Sequence, residues 1–259
     1  MVGPTREDRK HEVVTVLQAL DLADEIALEP APSLEVRGFP DDTLVRTALE
    51  RLAEAAGVDP RWAVEIDKRV PVAAGLGGGS SDAATALRLA NETLDEPLPV
   101  EQLRDLAAAI GADVPFFLGG ASTALGTGDG STLTELDLPA DYIVLLVLPS
   151  GAAKPSTAAV YAAFDERRGE VGFDDRRAAL EAALAAVRQP NDLEALPPND
   201  LASSPLAEQL RRCGAFRADV TGAGPTVYGL FGDRAEAEQA GAAVEAHGRT
   251  WIATPAWYG

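Results

Sequence analysis

Residues 71–82 read Pro-Val-Ala-Ala-Gly-Leu-Gly-Gly-Gly-Ser-Ser-Asp, with four glycines and two serines in twelve positions. Ahead of this run Trp62, Val64 and Ile66 alternate with Ala63, Glu65 and Asp67, the spacing of a half-buried strand; after it, Asp82 to Leu94 repeats apolar residues at helical spacing. Strand, glycine-rich turn and helix in that order make a phosphate cradle. Glycines let backbone N–H groups approach an anion without interference from Cβ, and the helix start adds unpaired donors and the positive end of a dipole. Ser80 or Ser81 suits the N-cap of that helix. Spelling excludes two other phosphate loops, because no Gly-Lys-Ser/Thr ending is present and the third glycine of the dinucleotide fingerprint falls at Ser80. Taken alone, the run also fits a plain tight connection.

The remaining chain narrows what such a cradle serves. Its 259 residues suit two lobes rather than one core, and its apolar and charged fractions, 46% and 24%, are those of a folded globular protein. With 22 Lys and Arg against 41 Asp and Glu, the formal charge is −19, which argues against nucleic-acid binding. Only Lys10, Lys68 and Lys154 supply ammonium groups. One cysteine, Cys213, and two histidines, His11 and His247, exclude an internal disulfide and Cys-rich or His-based metal sites. Without a membrane-length apolar run or signal peptide, a cytoplasmic protein with no membrane partner is expected.

Further helices are predicted at Thr43 to Ala56, Val100 to Ile110, Arg177 to Val187, Ala207 to Arg212 and Arg234 to His247. The apolar run Tyr142 to Leu148 reads as a strand buried on both faces, and later strands fall at Phe216 to Val220, Thr226 to Phe231 and Thr250 to Thr254. The order from Tyr142 onward fits a ferredoxin-like split βαβ unit. A lobe boundary near Pro139 is expected, with residues 149–157 and 188–205 as surface loops.

Two more turns carry chemistry. In Gly111-Ala112-Asp113-Val114-Pro115-Phe116-Phe117-Leu118-Gly119-Gly120, Gly111 suits a helix C-cap and Pro115 blocks helical continuation, which fixes Asp113 on a rigid turn. A carboxylate held there can orient a hydroxyl and accept its proton; a solvated loop aspartate is the bland alternative. Thr221-Gly222-Ala223-Gly224-Pro225, between two predicted strands, is either a hairpin turn or a backbone that closes a channel against the first loop.

Together AGLGGGSSDAA, GADVPFF and TGAGPTVYGLF resemble the GHMP kinases over nearly the whole chain, most closely the branch acting on a cytidine diphosphate-bearing alcohol in non-mevalonate isoprenoid synthesis. The resemblance implies an α+β, two-lobed fold: a ribosomal protein S5 domain 2-like ATP-binding lobe over residues 1–139 and a ferredoxin-like lobe over 140–259. It implies ATP and Mg²⁺, with Pro71, Ala74, Gly75, Leu76, Gly77, Gly78, Gly79, Ser80 and Ser81 as ATP contacts and Asp113 as catalytic base. His11, the second-lobe loop residues Thr157 and Tyr161, Gly222 and Gly224 become contacts of a small-molecule substrate carrying a cytidine diphosphate. Tyr161 would stack on cytosine. Metal ligands are not indicated, and a monomer or weak homodimer is expected. The alternatives are another small-alcohol kinase of the superfamily, or a nucleotide-binding protein without catalysis.

Departures from the family pattern matter as well. Family members carry a catalytic lysine on a first strand spelled like PAKINL, whereas Arg6 to Glu12 aligns with the later segment ending Tyr-His-Glu. An upstream strand bearing that lysine is the expectation. Lys10 takes the tyrosine position, and Thr43 stands where an adenine-contacting Asn is common.

Overall fold

The structure, a computed structural model, describes residues 1–39, 43–151 and 156–256. In the first half, β1 (Val2–Thr5) and β2 (His11–Val13) form an antiparallel hairpin, followed by β3 (Thr15–Gln18), β4 (Glu25–Pro30) and β5 (Glu35–Arg37). Then come α1 (Leu44–Ala56), β6 (Trp62–Asp67), α2 (Gly78–Glu92), α3 (Val100–Ile110), α4 (Val114–Gly119), β7 (Thr123–Thr127) and β8 (Thr132–Glu135). One sheet runs β4-β6-β5 and another β3-β7-β8. Helices α1 and α2 bury their apolar stripes in one core with β6, formed by Val45, Leu49, Leu52, Val64, Ile66 and Leu87, and α3 adds Leu103 and Ala107 to it.

The second half contains β9 (Ile143–Pro149), α5 (Thr157–Glu166), α6 (Phe173–Ala186), a 3₁₀ turn at Pro190–Ala195, α7 (Pro205–Arg212), β10 (Arg217–Val220), β11 (Val227–Phe231), α8 (Arg234–Val244) and β12 (Gly248–Ala253). Its antiparallel sheet runs β10-β11-β9-β12, the strand order of the split βαβ arrangement read from the sequence. Along β9, Leu145 and Val147 pack with α7 and α8, while Val144 and Leu146 pack with Tyr142, Val187 and Leu193. Both faces are covered, which is why this strand is a continuous apolar run.

Several elements depart from the reading above. Helix α2 begins at Gly78, four residues before the expected Asp82, because glycines hide a helix start from any propensity argument. Thr157 and Tyr161 lie within a helix, α5, whose N-cap Ser156 accepts a hydrogen bond from Ala159 N at 3.1 Å. They are not loop residues. Part of the loop expected at 188–205 is the 3₁₀ turn, and Pro115 opens helix α4 as well as ending the previous pattern, since proline is compatible with a helix's first turn. The strands within residues 1–37 were not expected. Yet β4 alternates outward Glu25, Ala27 and Glu29 with half-buried Ile26 and Leu28, a signal available in the sequence.

Leu87 on α2 is fully buried in the core that supports the glycine-rich turn. Replacing it by Ala should cost about 2–5 kcal/mol of unfolding free energy. Urea titration checks this, and a loss below about 1 kcal/mol would mean that α2 does not depend on this packing.

Candidate active site

The glycine-rich run leaves β6 and enters α2 through Gly77, which takes the left-handed conformation at φ 73° as the N-cap. No side chain caps this helix; Ser80 and Ser81 stand inside its first turn and not at its cap as expected. A left-handed residue just before the helix turns the chain abruptly, and, as at any helix start, the N–H groups of Gly78, Gly79 and Ser80 lack intrahelical acceptors, while Ser81 N donates to Gly77 O at 2.9 Å. Those groups are anion donors that need no cationic side chain. Leu44, at the start of α1, lies 3.2 Å from where a Cβ on Gly79 would be.

Opposite stands the turn between β10 and β11. Thr221 Oγ1 donates to Gly75 O at 2.9 Å, and Thr226 N donates to Ala74 O at 3.3 Å. Gly75 has φ 77°, and a Cβ there would fall 2.5 Å from Gly224 O. Leu76 reaches across to the apolar cluster of the second sheet. The Thr221–Pro225 turn is therefore a hairpin connection and also a wall against the first loop; the two alternatives coexist. Asn199 braces it by donating from Nδ2 to Val220 O at 2.8 Å and to Gly222 O at 2.7 Å. Asn199 was not singled out by sequence reasoning, and only its position in an Asn-Asp pair hinted at a turn.

Asp113 forms the N-cap of α4, behind the C-cap Gly111 of α3. Helix α4 leans on the glycine loop, with the ring of Phe117 3.0 Å from a Cβ placed on Gly77. On its other side Asp113 is near enough to Tyr161 that its charge, added to burial, pushes the phenol above its ordinary range. Tyr161 in turn faces His11, with ring centroids 4.9 Å apart. His11 Nε2 lies 2.8 Å from Asp165 Oδ1. A carboxylate only accepts, so Nε2 carries the hydrogen of this bond. Thr157, Tyr161 and Asp165 follow at intervals of four along α5 and so share one face. Asp165 was not among the expected residues; the i+4 spacing from Tyr161 was its signal. Lys10, in the tyrosine position, pairs instead with Asp129 at the β7–β8 turn.

Below the glycine loop Lys68 Nζ reaches Asp24 Oδ2 at 2.6 Å and Asp82 Oδ2 at 2.7 Å. Burial pushes the Asp82 carboxyl up to about 7, helped by the Asp24 charge and resisted by Lys68. Burial also acts upward on Asp24, but Lys68 and the N–H groups of Val70 and Arg69 outweigh it and hold that carboxyl below its ordinary value. Lys68 is lowered by burial and raised further by both carboxylates, with a net upward shift. Of the two carboxyls, Asp82, the partner without backbone donors, is the one that keeps its proton to higher pH. Lys154 lies outside the described residues.

Residues 43–121 match the N-terminal domain of the GHMP kinases and residues 177–250 their C-terminal domain. A Kineococcus radiotolerans protein named 4-diphosphocytidyl-2-C-methyl-D-erythritol kinase is 40% identical over 250 residues, covering 87% of this chain and 76% of the relative. The chain belongs to the GHMP kinase family. A Mycobacterium tuberculosis relative with the same name is 38% identical over 268 residues, with 95% and 83% covered. Among solved structures, 4-(cytidine 5'-diphospho)-2C-methyl-D-erythritol kinase superimposes with a TM-score of 0.77 at 30% identity, over 98% of this chain and 93% of that one. Methanococcus jannaschii mevalonate kinase superimposes equally well, TM-score 0.77, at 12% identity, over 94% of this chain and 92% of that one. That second likeness speaks to the GHMP fold alone.

Within this GHMP kinase, Asp82 gives a pH signature. Its folded value of about 7 lies above the ordinary 3.8, so between those values the native state holds a proton that the unfolded chain releases. Stability therefore falls as pH rises through that window. Asp82→Asn removes the titration while keeping an acceptor for Lys68. Urea midpoints at about pH 4.5 and 7.5 should show wild type losing ground to the variant at the higher pH. A constant gap between the two proteins would refute the protonated Asp82.

Proposed function

We propose that the chain transfers the γ-phosphoryl group of ATP to the 2-hydroxyl of 4-diphosphocytidyl-2-C-methyl-D-erythritol. The observation that carries this is the placement of Asp113 between two distinct surfaces, the glycine loop reached through Phe117 and the Tyr161–His11 pair. One surface suits a triphosphate and the other a flat base. The relatives that cover most of the chain are named as kinases of this substrate.

In this mechanism the backbone of residues 75–81, with Pro71 and Ala74 at its near end, holds the phosphates of ATP. The wall formed by Gly222 and Gly224 encloses the phosphates of the second substrate. Tyr161 stacks on cytosine beside His11, and Thr157 contacts the same substrate from the start of α5. This anchoring brings the hydroxyl to Asp113, converting a bimolecular encounter into a positioned one. Asp113 accepts the hydroxyl proton as the oxygen bonds to the γ-phosphorus and the bond to the β–γ bridging oxygen breaks, releasing ADP. First-turn N–H groups of α2 meet the charge on the phosphates without reorganising.

Mg²⁺ is assigned as the companion of ATP, where it supplies charge neutralisation on the phosphates. Among the described residues no group of three His, Cys, Asp or Glu side chains is arranged to hold a metal, and Mg²⁺ commonly binds through substrate phosphates and water. Among the described residues no helix is long and apolar enough to cross a membrane. With a single, unpaired Cys213, we place the enzyme in the cytoplasm, its lobes dividing at residue 139 and its working state a monomer or weak homodimer.

Asp113→Asn should lower turnover about 10²- to 10⁴-fold while calorimetry still detects ATP binding, because the amide keeps the shape and cannot take the proton. Full turnover in this variant would sink the assignment. Tyr161→Ala should raise KM for the cytidylated alcohol roughly 5- to 150-fold, the equivalent of about 1–3 kcal/mol of base stacking, and spare KM for ATP. If an alcohol lacking the cytidine diphosphate is turned over equally well, the substrate is a different small alcohol.

A further inference from the structure

The mechanism above leaves unused the buried ion cluster beneath the glycine loop. Lys68 follows directly on β6, Asp24 precedes β4 and Asp82 lies on α2; their side chains are 14%, 3% and 1% exposed. While Asp24 Oδ2 accepts from the lysine, its Oδ1 accepts from Arg69 N at 2.6 Å and Val70 N at 2.8 Å. One carboxylate thus fixes three consecutive residues just before Pro71. Through the ammonium it is tied to Asp82, beyond the other end of the loop. The helix start also rests on this cluster, since a Cβ at Gly78 would stand 3.0 Å from Val70 and 3.4 Å from Asp24 Oδ2.

We propose that Lys68 is a positioning residue for the nucleotide, setting the separation between the two ends of the glycine loop by bridging Asp24 and Asp82. It makes no phosphate contact, because both of its carboxylate partners are already in place and its side chain is enclosed. The inference rests on ATP lying along residues 75–81, as proposed above. Apolar residues of similar volume hold a fold as well as a buried ion cluster does, whereas charged partners impose direction and distance. Those are what converging backbone donors require, since a small misplacement of such groups carries a large cost.

The test compares wild type with Lys68→Met, reading KM for ATP, KM for the cytidylated alcohol, kcat, and hydrogen–deuterium exchange over residues 75–81 with and without ATP. Expected are a rise of about tenfold or more in KM for ATP, with the other two constants within about threefold, and loss of the ATP-dependent protection of the loop. A folded Lys68→Met with wild-type KM for ATP, or one in which all constants worsen together, overturns the positioning role. Should that variant not fold, Asp24→Asn decides: its amide oxygen keeps the Arg69 and Val70 N–H groups while its NH₂ opposes the ammonium, and the same selective rise is expected. An unchanged KM for ATP there overturns the proposal equally. Absence of ATP-dependent protection in wild type would instead defeat the placement of ATP, and the role of Lys68 with it.

Discussion

Two backbone turns from distant parts of the chain meet at Gly75 and Gly224, and the arrangement of the site depends on that contact. A Cβ on Gly75 would sit 2.5 Å from the Gly224 carbonyl oxygen, well inside contact distance, and the Thr221 hydroxyl closes the join onto Gly75 O. Only a residue without a side chain permits this approach. From it follow the orientation of the β10–β11 turn, the path of the chain into α2 and the packing of Leu76 under the second sheet. Glycine at these positions is thus demanded by the protein's own packing as much as by an anion.

The same economy governs charge. A chain with a formal charge of −19 repels a triphosphate at long range, so in the proposed reading donors that carry no formal charge assist the Mg²⁺ that would neutralise the phosphates. Helix α2 supplies them at its start. Lys68, the lysine nearest the loop in sequence, is fully committed to Asp24 and Asp82, and Lys10 is committed to Asp129. Below about pH 7, where Asp82 is protonated, the Lys68 cluster carries no net charge and adds no repulsion beneath the loop.

Much of the fold was legible because its signals are local. The alternation in Trp62–Asp67, the apolar run through Leu145 and the helical spacing of Val100–Ile110 each specify one element through its own burial pattern. Of the early strands, β2 and β5 are three residues each and too short for alternation to register, whereas β4 does carry a readable alternation. Around the proposed site, Gly75, Asp113, His11 and Tyr161 were singled out by motifs and by the family resemblance. Asn199, Asp24 and Asp165 were not, since their roles come from partners 23, 44 and 154 positions away, at Gly222, Lys68 and His11 respectively. Such pairings arise only when the chain is folded.

Helix α5 has a consequence beyond its contacts. Because Thr157, Tyr161 and Asp165 recur every fourth residue, all three belong to one rigid rod pinned at its beginning by Ser156. In the proposed reading Thr157 and Tyr161 thus meet the second substrate from one element, apart from the β6–α2 passage that would serve phosphate, and Asp165 reaches His11 on β2 from the same rod. A small tilt or slide of that helix would shift all three side chains together relative to the glycine loop.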